Sequence, residues 1–240
     1  IVVSAHLDTV FPPDTDVRPR IEGDRILAPG ISDDGRGLAA LLTFTRLLAE
    51  SDARTTAPII VAATVGEEGL GDLRGVRALF EGAARSAAAF VSLDGAGVTR
   101  VVTGGIGSLR RRYRIRGPGG HSWVDWGRPN PIEIAARALA QLPRSDEMPA
   151  ATTWSAGRIA GGTSINAIPE SAWVEVEVRS ERPNDLAQAD ARVRTAFEQT
   201  VEDANRTARR SGSGPDETQR ASLVVETIGD RPAGITPSDS

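Results

Sequence analysis

The sequence predicts an α/β protein in two parts: a mainly parallel sheet over the first hundred residues, then an inserted α+β sandwich of the ferredoxin type. Two observations carry this prediction. Apolar runs at 1–10, 58–65 and 87–93 alternate with helical stretches, the pattern of a parallel sheet. From about residue 107 the order changes to β-α-β-β-α-β. At 240 residues the chain is long enough for one large or two modest domains with proper cores.

The opening run, Ile1-Val2-Val3-Ser4-Ala5-His6-Leu7-Asp8-Thr9-Val10, reads as extended. In a strand, residues two apart face the same way, so His6 and Asp8 share a side and Leu7 takes the other. Residues 11–31 are loop-rich, with Pro12, Pro13, Pro19, Pro29 and Gly30, and 21–27 fit a small hairpin. Ser32-Asp33-Asp34-Gly35-Arg36-Gly37 then precedes a helix over 38–50, where Leu38, Leu41, Leu42, Thr45, Leu48 and Ala49 recur at helical spacing. Asp33 and Asp34 therefore sit at a helix N-terminus, where negative charge is favoured. Residues 58–65 read as a buried strand running into Gly66-Glu67-Glu68-Gly69. Residues 73–82 read as a helix, and 87–93 as a third strand ending in Asp94-Gly95.

In the second part, 108–117 alternate. Arg110, Arg112, Arg114 and Arg116 share one face, opposite Leu109, Arg111, Tyr113 and Ile115. That strip could bind an anion, but lone charged strips favour a solvated sheet face. A Gly-rich turn at 118–123 leads to a helix at 130–142. Strands at 152–160 and 172–179 flank Gly161-Gly162-Thr163-Ser164-Ile165-Asn166-Ala167-Ile168-Pro169. A long helix over 184–210 turns Leu186, Val193, Phe197 and Val201 inward, and 221–228 form the last strand. Residues 211–215 read as a surface loop. The expected domains are 1–106, the inserted 107–228, and 229–240 as the start of a return to the first domain.

Composition removes several classes of chemistry. There is no Cys, so disulfides, thiolate metal sites and Cys nucleophiles are excluded. All 28 basic residues are Arg, which excludes a phosphate-loop Lys and a Schiff-base Lys. The only two His are His6 and His121. The net charge of −4 gives no electrostatic case for nucleic acid, and no apolar run approaches the ~20 residues of a membrane span. The chain begins inside a strand without Met, and both ends read as cut, so the lack of a targeting segment does not bear on the expected cytoplasmic location.

Three expected strands end in imidazole or carboxylate groups: His6 and Asp8, Glu67 and Glu68, then Asp94. Asp33 and Asp34 arrive on a loop. Open α/β sheets bind ligands outside the carboxyl ends of their strands, so these groups converge on one edge. So many carboxylates together repel one another, and a pair of divalent cations relieves that repulsion. A His-plus-carboxylate donor set without thiolate suits zinc, with cobalt or manganese as alternatives. One carboxylate of the Glu67-Glu68 pair would bind metal, leaving the other to take a proton from water.

These motifs resemble the zinc-dependent peptidase and deacylase family (peptidase family M twenty) that includes aminoacylase, carboxypeptidase G, succinyl-diaminopimelate desuccinylase and tripeptidase T. The matching stretches are Ser4-Ala5-His6-Leu7-Asp8-Thr9-Val10, Gly30-Ile31-Ser32-Asp33-Asp34, Gly66-Glu67-Glu68-Gly69, Leu93-Asp94-Gly95, Gly119-Gly120-His121-Ser122 and Gly161 to Pro169. They occur in family order along essentially the whole chain. The resemblance implies that His6 and Asp94 bind the first metal, Asp33 bridges two, and Glu68 binds the second. It implies that Glu67 is the general base, that Asp8 orients His6, and that the Asp33–Asp34 bond is cis. It also implies a lid and dimerisation domain. There His121 reaches a partner subunit's site to stabilise the oxyanion, and Asn166 and Arg179 hold the substrate. A turn His packed near Trp123 and Trp126, and a surface Arg at a strand end, are the plainer readings of His121 and Arg179. Asp rather than Glu at position 94 leans toward tripeptidase-like or dipeptidase-like substrates.

Two departures stand beside the matches. The family supplies a second metal-binding His after the lid, and no His follows His121. The basic residue often found after the Asp-Asp pair is Gly35, with Arg36 next. The expectation is a homodimeric two-metal hydrolase of small peptides with its second site incomplete in this chain. An N-acyl-amino-acid deacylase is the alternative enzyme, and a non-catalytic fragment that keeps lid dimerisation is the alternative from another class.

Overall fold

The computed structural model describes residues 1–95, 97, 99–210 and 219–237, so the expected loop at 211–215 lies outside the described residues. The chain divides into two compact units, Ile1–Val101 and Val102–Ser240. Among the described residues, no helix is long and apolar enough to cross a membrane.

In the first unit, β1 (Val2–His6) is followed by the hairpin β2 (Arg20–Glu22) and β3 (Arg25–Leu27). A distorted turn, Ile31–Gly35, leads into α1 (Arg36–Glu50). Then come β4 (Ile60–Thr64), α2 (Arg74–Glu81) and β5 (Phe90–Ser92). The sheet order is β4-β1-β5, and both pairings are parallel. Central β1 buries Val2, Ser4, Ala5 and His6. The expectation that the second strand is buried holds only in part. On β4 only Thr64 is fully buried, while Val61 and Ala63 are exposed, because β4 is an outer strand of a three-stranded sheet. All three strands run the same way, so His6, the segment after Thr64 and the segment after Ser92 emerge at one edge.

The second unit opens with β6 (Gly104–Gly105), β7 (Gly107–Arg116) and the short β8 (Gly120–His121). Next come α3 (Pro131–Ala140), β9 (Thr152–Gly161), the short β10 (Ala167–Ile168) and β11 (Ser171–Ser180). It closes with α4 (Pro183–Arg210), β12 (Ser222–Arg231) and β13 (Gly234–Ile235). The four long strands form one antiparallel sheet in the order β12-β7-β11-β9, the ferredoxin-like arrangement. Beyond its expected end at 228, β12 continues to Arg231, and Gly234–Ile235 then pairs with Gly104–Gly105.

Both helices cover one face of this sheet. Asn130 caps α3 by accepting the Ile132 N–H at 3.0 Å, and Pro131 sits where a helix needs no N–H donor. On α4, Leu186, Ala189, Val193, Phe197 and Val201 recur three to four residues apart and are buried. They pack with Ile134 and Ala138 of α3 and with Tyr113, Ile115, Val174, Val176 and Val178 of the sheet. Tyr113 and Phe197 stack with ring centroids 4.2 Å apart.

The opposite face explains the Arg strip. Arg110 pairs with Glu177 at 2.8 Å, Arg112 with Glu175 and Glu226, and Arg114 with Glu226 at 3.3 Å. Arg112 and Arg158 both stand over Trp173 at 5.3 Å. The strip is therefore an ion-paired sheet face whose carboxylates come from the neighbouring strands β11 and β12.

Candidate metal centre

His6 ends β1 with its ring almost fully buried, its side chain 2% exposed. Its Nδ1 lies 2.9 Å from the Asp8 carbonyl oxygen. Its Nε2 lies 2.8 Å from Asp33 Oδ1 and 3.8 Å from Asp94 Oδ1. A carbonyl can only accept, so Nδ1 carries a proton, and Nε2 of a neutral ring would then present a lone pair to two carboxylates. That arrangement calls for a positive charge between ring and carboxylates, which a proton or a metal ion can supply. Glu68 completes the group: one ligand atom each from His6, Asp33 and Glu68 lie within 4.8 Å of one another. One imidazole nitrogen and several carboxylate oxygens, without sulfur, fit a divalent ion of the zinc class.

The electrostatics agree with this. Burial works against the His6 charge, but the Asp8 carbonyl, the Asp33 hydrogen bond and the Asp94 and Asp34 charges outweigh it and raise its pKa. Glu68 is pushed up by burial and then by the charges of Asp33 and Glu67, with Asp8 adding to them. Carboxylates forced together in this way are stabilised by a cation.

Asp8 acts differently from the sequence expectation. Its backbone carbonyl, rather than its carboxylate, holds the His6 ring, since Asp8 Oδ1 is 3.8 Å from Nδ1. The carboxylate instead accepts the backbone N–H of Gly66 at 2.8 Å, Glu67 at 3.3 Å and Glu68 at 2.9 Å. Against the cost of burial, the Glu68, Glu67 and Gly66 amides lower its pKa. Asp8 thus fixes the backbone that carries Glu67 and Glu68.

The Asp33–Asp34 peptide bond is cis, as the resemblance implies. Sequence reasoning gave Asp34 no task of its own, yet it is 2% exposed. Its Oδ2 accepts the His6 N–H at 3.0 Å, and its Oδ1 accepts the Gly37 N–H at 3.1 Å. An Asp two residues before the first residue of a helix, accepting the N–H three residues on, is a readable cap signal. The bond to the His6 amide had no local signal. Arg36 donates to the Gly95 carbonyl, next to Asp94.

In the second unit, β8 and β10 bring His121 and Asn166 to one place. His121 pairs with Ala167, and the Ser122 N–H donates to the Asn166 carbonyl at 3.0 Å. His121 Nδ1 accepts the N–H of Trp123 at 3.2 Å and Val124 at 3.4 Å, which leaves the proton on Nε2. The ring is exposed, and so are Trp123 and Trp126. Arg179 is not part of this group. It lies at the far end of β11, roughly 26 Å along the strand from Ser171 at ~3.3 Å per residue. There it pairs with Glu177 through Nε at 2.9 Å and Nη2 at 3.0 Å.

Residues 2–226 match Peptidase family M20/M25/M40. The chain belongs to that family. Aminopeptidase PepT from Bacillus cereus ATCC 10987 matches with a TM-score of 0.65 at 27% identity, over 95% of this chain and 57% of that one. A tripeptidase from Staphylococcus aureus subsp. aureus Mu50 shares the fold with a TM-score of 0.73 at 24% identity, over 100% of this chain and 60% of that one. The uncharacterized protein YqjE of Bacillus subtilis (strain 168) is 29% identical over 212 residues, 85% of this chain and 55% of its own length. This M20/M25/M40 chain therefore spans a little over half the length of these relatives.

Proposed function

We propose that this chain carries the principal ligands and the general base of a metal-dependent hydrolase that cleaves peptide or amide bonds of small substrates. The observation that supports this most is the grouping of His6, Asp33 and Glu68 within 4.8 Å, with Asp94 at 3.8 Å from His6, at the carboxyl edge of a parallel sheet. His6, Asp33 and Asp94 would hold one ion. Asp33 and Glu68 would hold a second, less tightly, because the only imidazole of this sequence besides His6 is His121, which has another role. Divalent ions of the zinc class, when bound, supply the Lewis acidity that activates a water and polarises the scissile carbonyl.

The chain's own residues divide the remaining work. Glu67 takes the proton of the attacking water and returns it to the leaving amine. Asp8 keeps Glu67 and Glu68 in place through their backbone amides. His121, with Nε2–H outward, donates to the oxyanion. Asn166 stands beside it to hold the substrate backbone, and Arg179 is suited to a substrate carboxylate once released from Glu177.

Arg179 stands at the far end of β11 from Ser171, whereas His121 belongs to the separate β8–β10 ladder. In the homodimer that the family resemblance implies, His121 of one copy would act at the partner subunit's site. The 27% identity to an aminopeptidase, together with Asp94, favours a small peptide over an N-acyl amino acid. Hydrolysis of tripeptides and of N-acyl amino acids, each with and without chelator, tests the reading. Tripeptide cleavage that chelator abolishes is expected. N-acyl preference would make the protein a deacylase, no turnover of either would favour a non-catalytic role, and chelator-insensitive cleavage would overturn the mechanism.

A further inference from the structure

We propose that Asp34 is a positioning residue, whose buried carboxylate sets the distance between His6 and Asp33. This rests on the reading of those two residues as metal ligands. The geometry behind it is specific. Asp34 is 2% exposed, and its two oxygens point to two different segments. Oδ2 accepts the His6 N–H from the end of β1, and Oδ1 accepts the Gly37 N–H in the first turn of α1. Asp33, one residue before, presents its own carboxylate to His6 Nε2 at 2.8 Å. One rigid carboxylate thus ties the strand carrying the imidazole to the helix start carrying its partner.

The packing leaves this carboxylate little room to move. A Cβ on Gly37 would lie 2.0 Å from Asp34 Oδ1 and 2.2 Å from the Leu93 carbonyl. Leu93 in turn receives a tie to β1 through its own N–H, which donates to the Ser4 carbonyl at 2.8 Å, and Asp94 follows it directly. Asp8 plays the matching part on the other side, through the amides of residues 66–68. Two carboxylates, neither of them in the ligand group, therefore connect β1 to two of the other three ligand-bearing segments. Such supporting groups characteristically govern metal affinity by about 10–100-fold.

The test compares the wild-type chain with Asp34→Asn and Asp34→Ala. Zinc affinity is measured by competition with a chromophoric chelator, and exchange of the His6 backbone amide is followed in the metal-free protein. Asn keeps one acceptor and loses the other, so it should weaken zinc binding by about tenfold, and Ala by about a hundredfold. Both should speed His6 amide exchange before any metal is added. If the wild type binds zinc and folded Asp34→Asn binds it equally well, or if the His6 amide exchanges unchanged, the positioning role is overturned. If the wild type binds no zinc, the metal reading itself fails, whatever Asp34 does to amide exchange.

Discussion

His6 meets Asp33 through Nε2 at 2.8 Å, while its other nitrogen is tied to the Asp8 carbonyl at 2.9 Å. Both ring nitrogens thus face acceptors. These contacts and the carboxylates around it hold the ring in one orientation.

Glu67 is expected to contribute to the chemical step without holding the metal. Glu67→Gln should lower kcat by about 10²–10⁴-fold. Zinc affinity and KM should change little. Steady-state kinetics together with chelator competition check this, and a parallel loss of zinc would instead make Glu67 a ligand.

Asp8 should matter for stability as well as for turnover. Its carboxylate accepts three backbone N–H groups, and hydrogen bonds to charged groups contribute about 1.5–3 kcal/mol. Asp8→Ala should therefore lose about 2–3 kcal/mol, an estimate that takes these bonds as partly redundant. Urea denaturation of the metal-free protein reads this directly. A loss confined to activity would restore the view that Asp8 serves only His6.

Much of this site was legible in the sequence because parallel strands end on the same side, so His6, Glu68 and Asp94 come to one edge once three strands are recognised. The ferredoxin-like order of the second unit was equally legible from its helical and alternating periods. Hydrogen-bond partners across segments were not. Nothing local says that Asp8 reaches residues 66–68, that Asp34 binds the His6 amide, or that Arg110, Arg112 and Arg114 meet Glu177, Glu175 and Glu226. These depend on strand register, which short-range pattern leaves open. Strand β4 was expected to be buried because its residues are apolar, but burial is decided by what covers a strand.

Glu177 gives the second unit an acid-sensitive contact. Burial raises its pKa, but Arg179, Arg110 and Ser108 more than offset that and hold it at about 2, against an ordinary 4.5. A depressed carboxylate stabilises the fold at pH above 4.5, and that stability is lost as pH falls toward 2. With Arg179 half exposed, solvent screening reduces the contribution to roughly 1–2 kcal/mol. Glu177→Gln should be less stable than wild type by that amount at pH 7, with the gap closing between pH 4.5 and 2. Denaturation at several pH values checks it, and a gap independent of pH would contradict it.

Tyr113 carries a buried hydroxyl with no hydrogen-bond partner among the described residues. Burial pushes its pKa well above the ordinary tyrosine value, so the group acts as a neutral ring stacked on Phe197. Tyr113→Phe should leave stability unchanged or raise it by up to about 1 kcal/mol, since an unmade buried hydrogen bond is unfavourable. A drop in melting temperature would show that the hydroxyl has a partner in solution.

The central claim is that His6, Asp33, Asp94 and Glu68 form a metal centre. Its most direct test is zinc content and affinity of the purified chain, measured beside His6→Ala. The expected result is one tightly held zinc per chain and a second bound weakly or not at all, with the tight zinc lost in His6→Ala. Two tight zincs would contradict the assignment of an incomplete second site, and a tight zinc that survives His6→Ala would contradict the centre itself.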